Sequence, residues 1–178
     1  VVRANDPNDA RMIAEMADDL APQITAILGV LPEPKFVLYF DDQRSGPNGI
    51  RVWRDGKDRI VERRIELGAD SRPMLRFLVA HELVHWYASG SWERLPHTIE
   101  EGLADHAALL FVLGFADDRR AAVRHHLAHM APADFERALA IMHRDVERLP
   151  VEEKLDMYSV GLTLVDQIGI EHLHAPFT

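Results

Sequence analysis

The pattern of hydrophobic and polar positions predicts one helix, then a few short strands, then helices over the rest of the chain. The first helix covers residues 8–28, with Pro22 as a kink or break. The predicted strands are 35–40, 50–53 and 59–67, and the later helices are 71–89, 98–113, 117–130, 133–147 and 151–168. This order predicts an α+β fold: a small, mostly antiparallel sheet packed on a central helix, followed by a mainly helical C-terminal half. We expect a single domain over residues 1–178.

Composition narrows the classes of function. The formal net charge of −9 argues against nucleic acid as a partner, because phosphate binding needs a basic surface. No apolar run reaches the roughly 18 residues of a membrane span. The chain has no cysteine, so a transition metal must be held by His, Asp or Glu. The absence of cysteine and a start at Val1 rather than Met favour an exported protein, periplasmic or extracellular, over a cytoplasmic one.

The helix predicted at 71–89 is apolar on nearly all sides, yet it carries three titratable groups. His81 and His85 are four residues apart and so share one helical face, where both imidazoles can reach one ion. Glu82 lies about 100° round the helix, where it can reach a water without being a ligand. This is the H-E-x-x-H signature of zinc peptidases. The alternative is coincidence in a chain of ten histidines.

A second pair of histidines has the same spacing. His125 and His129 are also four residues apart, in the stretch "HHLAH". This stretch lacks the glutamate and is flanked by Arg and Asp, which is typical of a solvated surface. We therefore expect no functional metal site there.

A catalytic zinc usually has three protein ligands and one open position. If a helix begins near Thr98, then Glu101 and Asp105 share one face. Glu101 is the candidate third ligand, and Asp105 the candidate acceptor of a hydrogen bond from a ligand histidine. A structural alternative is a capping box, with Thr98 as the N-cap and Glu101 three residues later. Glu100 and His97 are weaker rivals for the third ligand.

These residues resemble the gluzincin metallopeptidases, in which an H-E-x-x-H helix is followed by E-G-x-A or E-x-x-x-D. The resemblance implies a zincin-like fold, Zn²⁺ on His81, His85 and Glu101, and Glu82 as the general base. The segment "DMYSVGLTLVDQIG" resembles the Y-x-x-G segment of the aminopeptidase-like branch, which implies that Tyr158 donates a hydrogen bond to the oxyanion. The alternative for this segment is a core tyrosine, with Gly161 allowing close helix packing.

The resemblance has two departures, which bear on specificity. Thr98 stands where the aminopeptidase-like branch usually has Trp, and no G-x-M-E-N segment occurs at 35–70. Because that segment anchors the substrate amine in aminopeptidases, its absence favours an endopeptidase. We expect the substrate to be a peptide or protein. Its backbone could pair with an exposed edge of the sheet, for which the candidate strand is "GIRVW" at 49–53. The alternative is that this segment is an ordinary strand of a hairpin. The alternative functions are a zincin-fold module that binds metal or peptide without cleavage, and a helical domain without metal.

Overall fold

The structure is a computed structural model, which describes residues 1–29, 36–45, 48–57, 59–69, 74–88, 92, 95–141 and 149–168. The chain divides into two compact units, Val1–Ala88 and Ser89–Thr178, and each is described by itself. The strands are β1 (Val2–Ala4), β2 (Leu38–Asp41), β3 (Gly49–Arg54) and β4 (Ile60–Gly68). The helices are α1 (Pro7–Leu28), α2 (Leu75–Ala88), α3 (His97–Leu109), α4 (Leu113–His129), α5 (Pro132–Leu139) and α6 (Val151–Ile168). The α+β class is confirmed, and the prediction of a single domain over 1–178 stays a prediction.

The sheet of the first unit is mixed, in the order β1-β2-β4-β3. β1 pairs with β2 and β2 with β4 in parallel, whereas β3 and β4 form an antiparallel hairpin. The expectation of a mostly antiparallel sheet is therefore wrong. Alternating apolar residues indicate a strand, but not whether it runs parallel or antiparallel to its neighbours. The β3–β4 hairpin joins the sheet through β4, which pairs with β2, so β3 lies at the end of the strand order. The three-residue β1 was not predicted, since it is too short for a periodic pattern.

The core of the first unit lies between one face of this sheet and helices α1 and α2. Alternate residues of β2 and β4 are buried, and α1 adds a stripe at helical spacing. These buried residues are Leu38, Phe40, Ile65 and Leu67 on the strands, and Ile13, Ala17, Leu20 and Ile24 on α1. α2 contacts α1, β3 and β4, and ten of its fourteen residues are buried. The prediction of a central apolar helix packed on the sheet is confirmed.

Local chemistry explains where α1 begins and ends. The Asp6 carboxylate accepts a hydrogen bond from the backbone N–H of Asn8, and Pro7 occupies the first turn, where its missing N–H costs nothing. Gly29 follows the helix with φ 66°, the left-handed conformation that glycine adopts without strain. Pro22 lies inside α1 but does not end it.

Arg63 of β4 holds the turn of α2 that follows the histidine pair. The Arg63 guanidinium lies 4.2 Å from the centroid of the Trp86 ring and donates a hydrogen bond to the Trp86 carbonyl oxygen. A cation over an indole face is attracted by the negative face of the ring. Because Trp86 directly follows His85, this contact anchors that turn of α2 to the sheet.

The second unit is helical in the residues described, as expected, and α6 has the predicted bounds. α3 begins one residue earlier than predicted and ends at Leu109, while α4 begins at Leu113 rather than 117. α5 ends at Leu139; of the predicted 133–147, residues 142–147 lie outside the described residues. Among the described helices of the chain, none is long and apolar enough to cross a membrane.

α3 and α6 cross at two glycines. A Cβ on Gly102 would fall on the backbone of Gly161, and a Cβ on Gly161 would fall on the carbonyl oxygen of Thr98, each well under 3.0 Å away. Real side chains essentially never approach so closely. The close-packing role considered for Gly161 is confirmed, and Gly102 is its partner in the crossing.

The crossing predicts that substitutions of different glycines differ strongly in their effect on the free energy of unfolding. We expect Gly161→Ala to lower the free energy of unfolding by about 3 kcal/mol or more, because the methyl group meets backbone that cannot rotate away. That corresponds to a fall in Tm of about 6 °C or more for a chain of this size. Gly56→Ala is the matched control, since a Cβ at Gly56 meets nothing within 4 Å. Thermal and urea unfolding measure both, and equal stability of the two variants would contradict the close crossing.

Candidate metal centre

The two histidines of the signature lie side by side on α2. Their Nε2 atoms are 3.1 Å apart, and their ring centroids are 4.7 Å apart with planes at 69°. His81 is buried, with 5% of its surface exposed, and His85 is half-buried. One helical turn therefore holds two imidazole nitrogens at adjacent points.

Glu101 completes a group of three possible ligands. One ligand atom each from His81, His85 and Glu101 lies within 4.8 Å of the other two. Two nitrogens bound to one tetrahedral zinc at about 2.0–2.1 Å would be about 3.3 Å apart, close to the 3.1 Å between the histidines. Two imidazoles and one carboxylate are a donor set that zinc accepts in catalytic sites. The residues thus fit the metal that the sequence pattern implied.

The start of α3 removes the capping explanation for Glu101. The helix begins at His97, and the Pro96 carbonyl accepts hydrogen bonds from the N–H groups of Ile99 and Glu100. Thr98 therefore lies inside the helix, and its hydroxyl donates to the Ala138 carbonyl oxygen instead of capping. The alternative role of Glu101 in a capping box with Thr98 is wrong, because that box needs Thr98 to precede the helix.

His97 and Glu100 are the rivals for the third ligand, and the His97 ring contacts both Glu100 and Glu101. The Nε2 atom of His97 is 3.1 Å from Oε1 of Glu101, and its Nδ1 atom is 3.4 Å from Oε2 of Glu100. All three side chains are buried. The motif did not predict this contact, although the spacing of three and four residues on a helix could have suggested it.

Asp105 is 1% exposed and pairs with an arginine that the sequence did not single out. The Arg119 guanidinium, from α4, donates to its Oδ2 atom at 3.0 Å. Arg119 lies in the run "DDRR", which on sequence alone is typical of a solvated face. The predicted hydrogen bond from a ligand histidine to Asp105 stays a prediction.

The other predicted residues are placed as follows. Glu82 is buried on α2, directly after His81. Tyr158 is half-buried on α6, one helical turn before Gly161. His125 and His129 are exposed on α4, and Nδ1 of His129 lies 2.8 Å from the carbonyl oxygen of His125. The expected surface position of the second histidine pair is confirmed.

Comparisons of the chain with protein-family models, with curated proteins and with solved structures find no match. The resemblance to gluzincins is therefore carried by the residues of this chain alone.

His106, which had no assigned role, belongs to an ionic cluster with Asp166 of α6 and Arg120 of α4. The Nδ1 atom of His106 contacts Oδ1 of Asp166, and Nε of Arg120 donates to Oδ2 at 2.9 Å. Burial alone would raise the pKa of Asp166. The hydrogen bonds and charges of Arg120 and His106 outweigh burial and lower the pKa below its ordinary value of 3.8.

This lowered pKa predicts how stability depends on pH. A carboxyl group whose pKa is lower in the folded state stabilises the fold above its ordinary pKa, and that contribution is lost as the pH falls through the folded pKa. We expect Asp166→Asn to lower the free energy of unfolding at pH 7 by about 1 kcal/mol, allowing for solvent screening. The difference from wild type should shrink as the pH falls below about 4.

Urea unfolding at a series of pH values measures this difference. Asp134→Asn is the control, because its pair with Arg137 lies on exposed surface. We expect that variant to stay within about 0.5 kcal/mol of wild type. An Asp166→Asn effect that grows on acidification would contradict the assignment.

Proposed function

We propose that the protein is a zinc-dependent peptidase of gluzincin type with a zincin-like fold, and an endopeptidase rather than an aminopeptidase. The observation that supports this most is the grouping of His81, His85 and Glu101, whose ligand atoms lie within 4.8 Å of one another. Glu82, the residue that hydrolysis would need beside such a site, is present.

In this proposal His81, His85 and Glu101 hold the metal. Bound zinc supplies Lewis acidity, which polarises a carbonyl group and makes water a better acid. The Glu82 carboxylate takes a proton from the attacking water and gives it to the leaving amine, as a general base and then a general acid. It can do both because it is not itself a ligand.

Two further residues support the same reaction. Asp105 orients a ligand histidine, and its ion pair with Arg119 holds the buried carboxylate in place. The Tyr158 hydroxyl donates a hydrogen bond to the oxyanion that forms when water attacks. The glycine crossing supports this role, since Glu101 adjoins Gly102, and Tyr158 lies three residues, about 4.5 Å along the helix, before Gly161.

The edge of the sheet suggests how a peptide is held. β3 is the last strand in the sheet order, and its residues Val52 and Trp53 are exposed. An extended peptide can pair with such an edge through its backbone. Pairing of this kind does not require a free amino terminus, which is consistent with cleavage within a chain.

The first test measures metal and hydrolysis together. Protein made without a polyhistidine tag should contain about one zinc per chain and cleave internally quenched peptides, and a chelator should abolish cleavage. We expect Glu82→Gln to keep its zinc, because Glu82 is not a ligand, yet to lose most of its hydrolysis. His125→Ala, on the exposed pair, is the control and should retain both.

Each contrary result has a definite meaning. Wild-type protein that binds no zinc would refute the metal site. Zinc with no cleavage of any peptide would identify a metal-binding module, and loss of zinc from Glu82→Gln would show that Glu82 acts as a ligand.

The tyrosine is tested separately. Tyr158→Phe should lower kcat by about 100-fold while leaving zinc content and KM close to wild type, because the hydrogen bond forms only in the transition state. Steady-state kinetics and metal analysis measure these quantities. A variant as active as wild type would limit the resemblance to residues 81–105.

A further inference from the structure

The first turns of α3 bury three titratable side chains: His97, Glu100 and Glu101. Each has less than a tenth of its surface exposed. A buried carboxylate is costly unless something donates to it. The partners of Glu101 therefore bear directly on whether its carboxylate can be held in one place.

The His97 ring presents a nitrogen to each of the two carboxylates. Its Nε2 atom is 3.1 Å from Glu101 Oε1, and its Nδ1 atom is 3.4 Å from Glu100 Oε2. The glutamates follow His97 by three and four residues, so all three lie on one face of α3. The ring thus stands between the carboxylates, with its closer contact to Glu101.

The contact leaves Glu101 able to bind a metal at the same time. A carboxylate offers about four lone-pair sites on its two oxygens, and the contact of His97 Nε2 with Oε1 can use only one of them. A glutamate side chain rotates about several bonds, so an isolated Glu101 would sample many orientations. A donor on Oε1 selects among these orientations before a metal arrives.

We propose that His97 is a positioning residue, which holds the Glu101 carboxylate in the orientation that binds zinc, while Glu100 orients the imidazole ring. This inference rests on the proposed function, in which Glu101 is the third ligand. Metal-binding carboxylates are commonly hydrogen-bonded by residues outside the ligand set, and loss of such a residue weakens metal binding by about 10–100-fold.

Two amide substitutions separate positioning from general packing. In His97→Gln the amide nitrogen reaches about as far as Nε2 and keeps a donor facing Glu101. In His97→Asn the amide nitrogen matches Nδ1 and faces Glu100 instead. We expect His97→Gln to bind zinc nearly as tightly as wild type, and His97→Asn and His97→Ala to bind it about 10–100-fold more weakly.

Zinc affinity is measured by competition with a chromophoric chelator, and the Tm of each metal-free protein is measured beside it. His106→Gln is the matched control, because His106 is a buried histidine of the same helix that contacts Asp166 rather than Glu101. It should lower the Tm of the metal-free protein without weakening zinc binding. A purely structural role for His97 predicts the same behaviour in all three His97 variants.

The outcomes distinguish this inference from the proposed function. If wild type binds zinc and His97→Ala binds it equally well, His97 has no positioning role, although the metal site stands. If His97→Gln loses as much affinity as His97→Ala, His97 does not act as a donor through Nε2. If wild type binds no zinc, the proposed function fails and this inference with it.

Discussion

A charged side chain taken out of water is stable only beside a partner, and this constraint shapes the helix that carries Glu101. α3 has twelve buried residues among its thirteen, and five of those twelve are titratable. Each of the five has a contact with an opposite or complementary group: His97 with Glu100 and Glu101, Asp105 with Arg119, and His106 with Asp166. The partners on α4 and α6 thus hold α3 in one rotation about its axis. Among these contacts, the one that touches the Glu101 carboxylate itself is that of His97.

The crossing of α3 and α6 adds a second constraint on the same residue. Because the helices meet at bare backbone, their separation is set by Gly102 and Gly161 rather than by adjustable side chains. Glu101 immediately precedes one of these glycines, so its Cα position is tied to the crossing. The glycine of the E-G-x-A pattern thus has a mechanical purpose in this chain, independent of any chemistry.

Patterns within a few turns of chain predicted much of the fold. The bounds of α1 and α6 follow closely from helical spacing, and Asp6 and Gly29 cap the two ends of α1. Pairings between distant segments could not be predicted, because the parallel pairing of β2 with β4 depends on which edge the hairpin joins. For the site, the motif indicated His81, Glu82, His85 and Glu101. It gave His97 only as a weaker rival for the third ligand and missed Arg119, because the partners of both residues are ambiguous from spacing alone. It also allowed a capping box that the start of α3 excludes.

The two histidine pairs show why spacing alone does not define a metal site. His81 with His85 and His125 with His129 have the same separation, and the ring centroids within each pair are 4.7 and 4.6 Å apart. The pair on α2 has a buried histidine and belongs, with Glu101, to a group of three residues that could hold a metal ion, whereas the pair on α4 is exposed and Nδ1 of His129 faces the carbonyl oxygen of His125. Water competes with exposed imidazoles for any ion, and two ligands without a third hold a metal weakly. Burial and the carboxylate of Glu101 are therefore what separates a candidate centre from a repeated spacing.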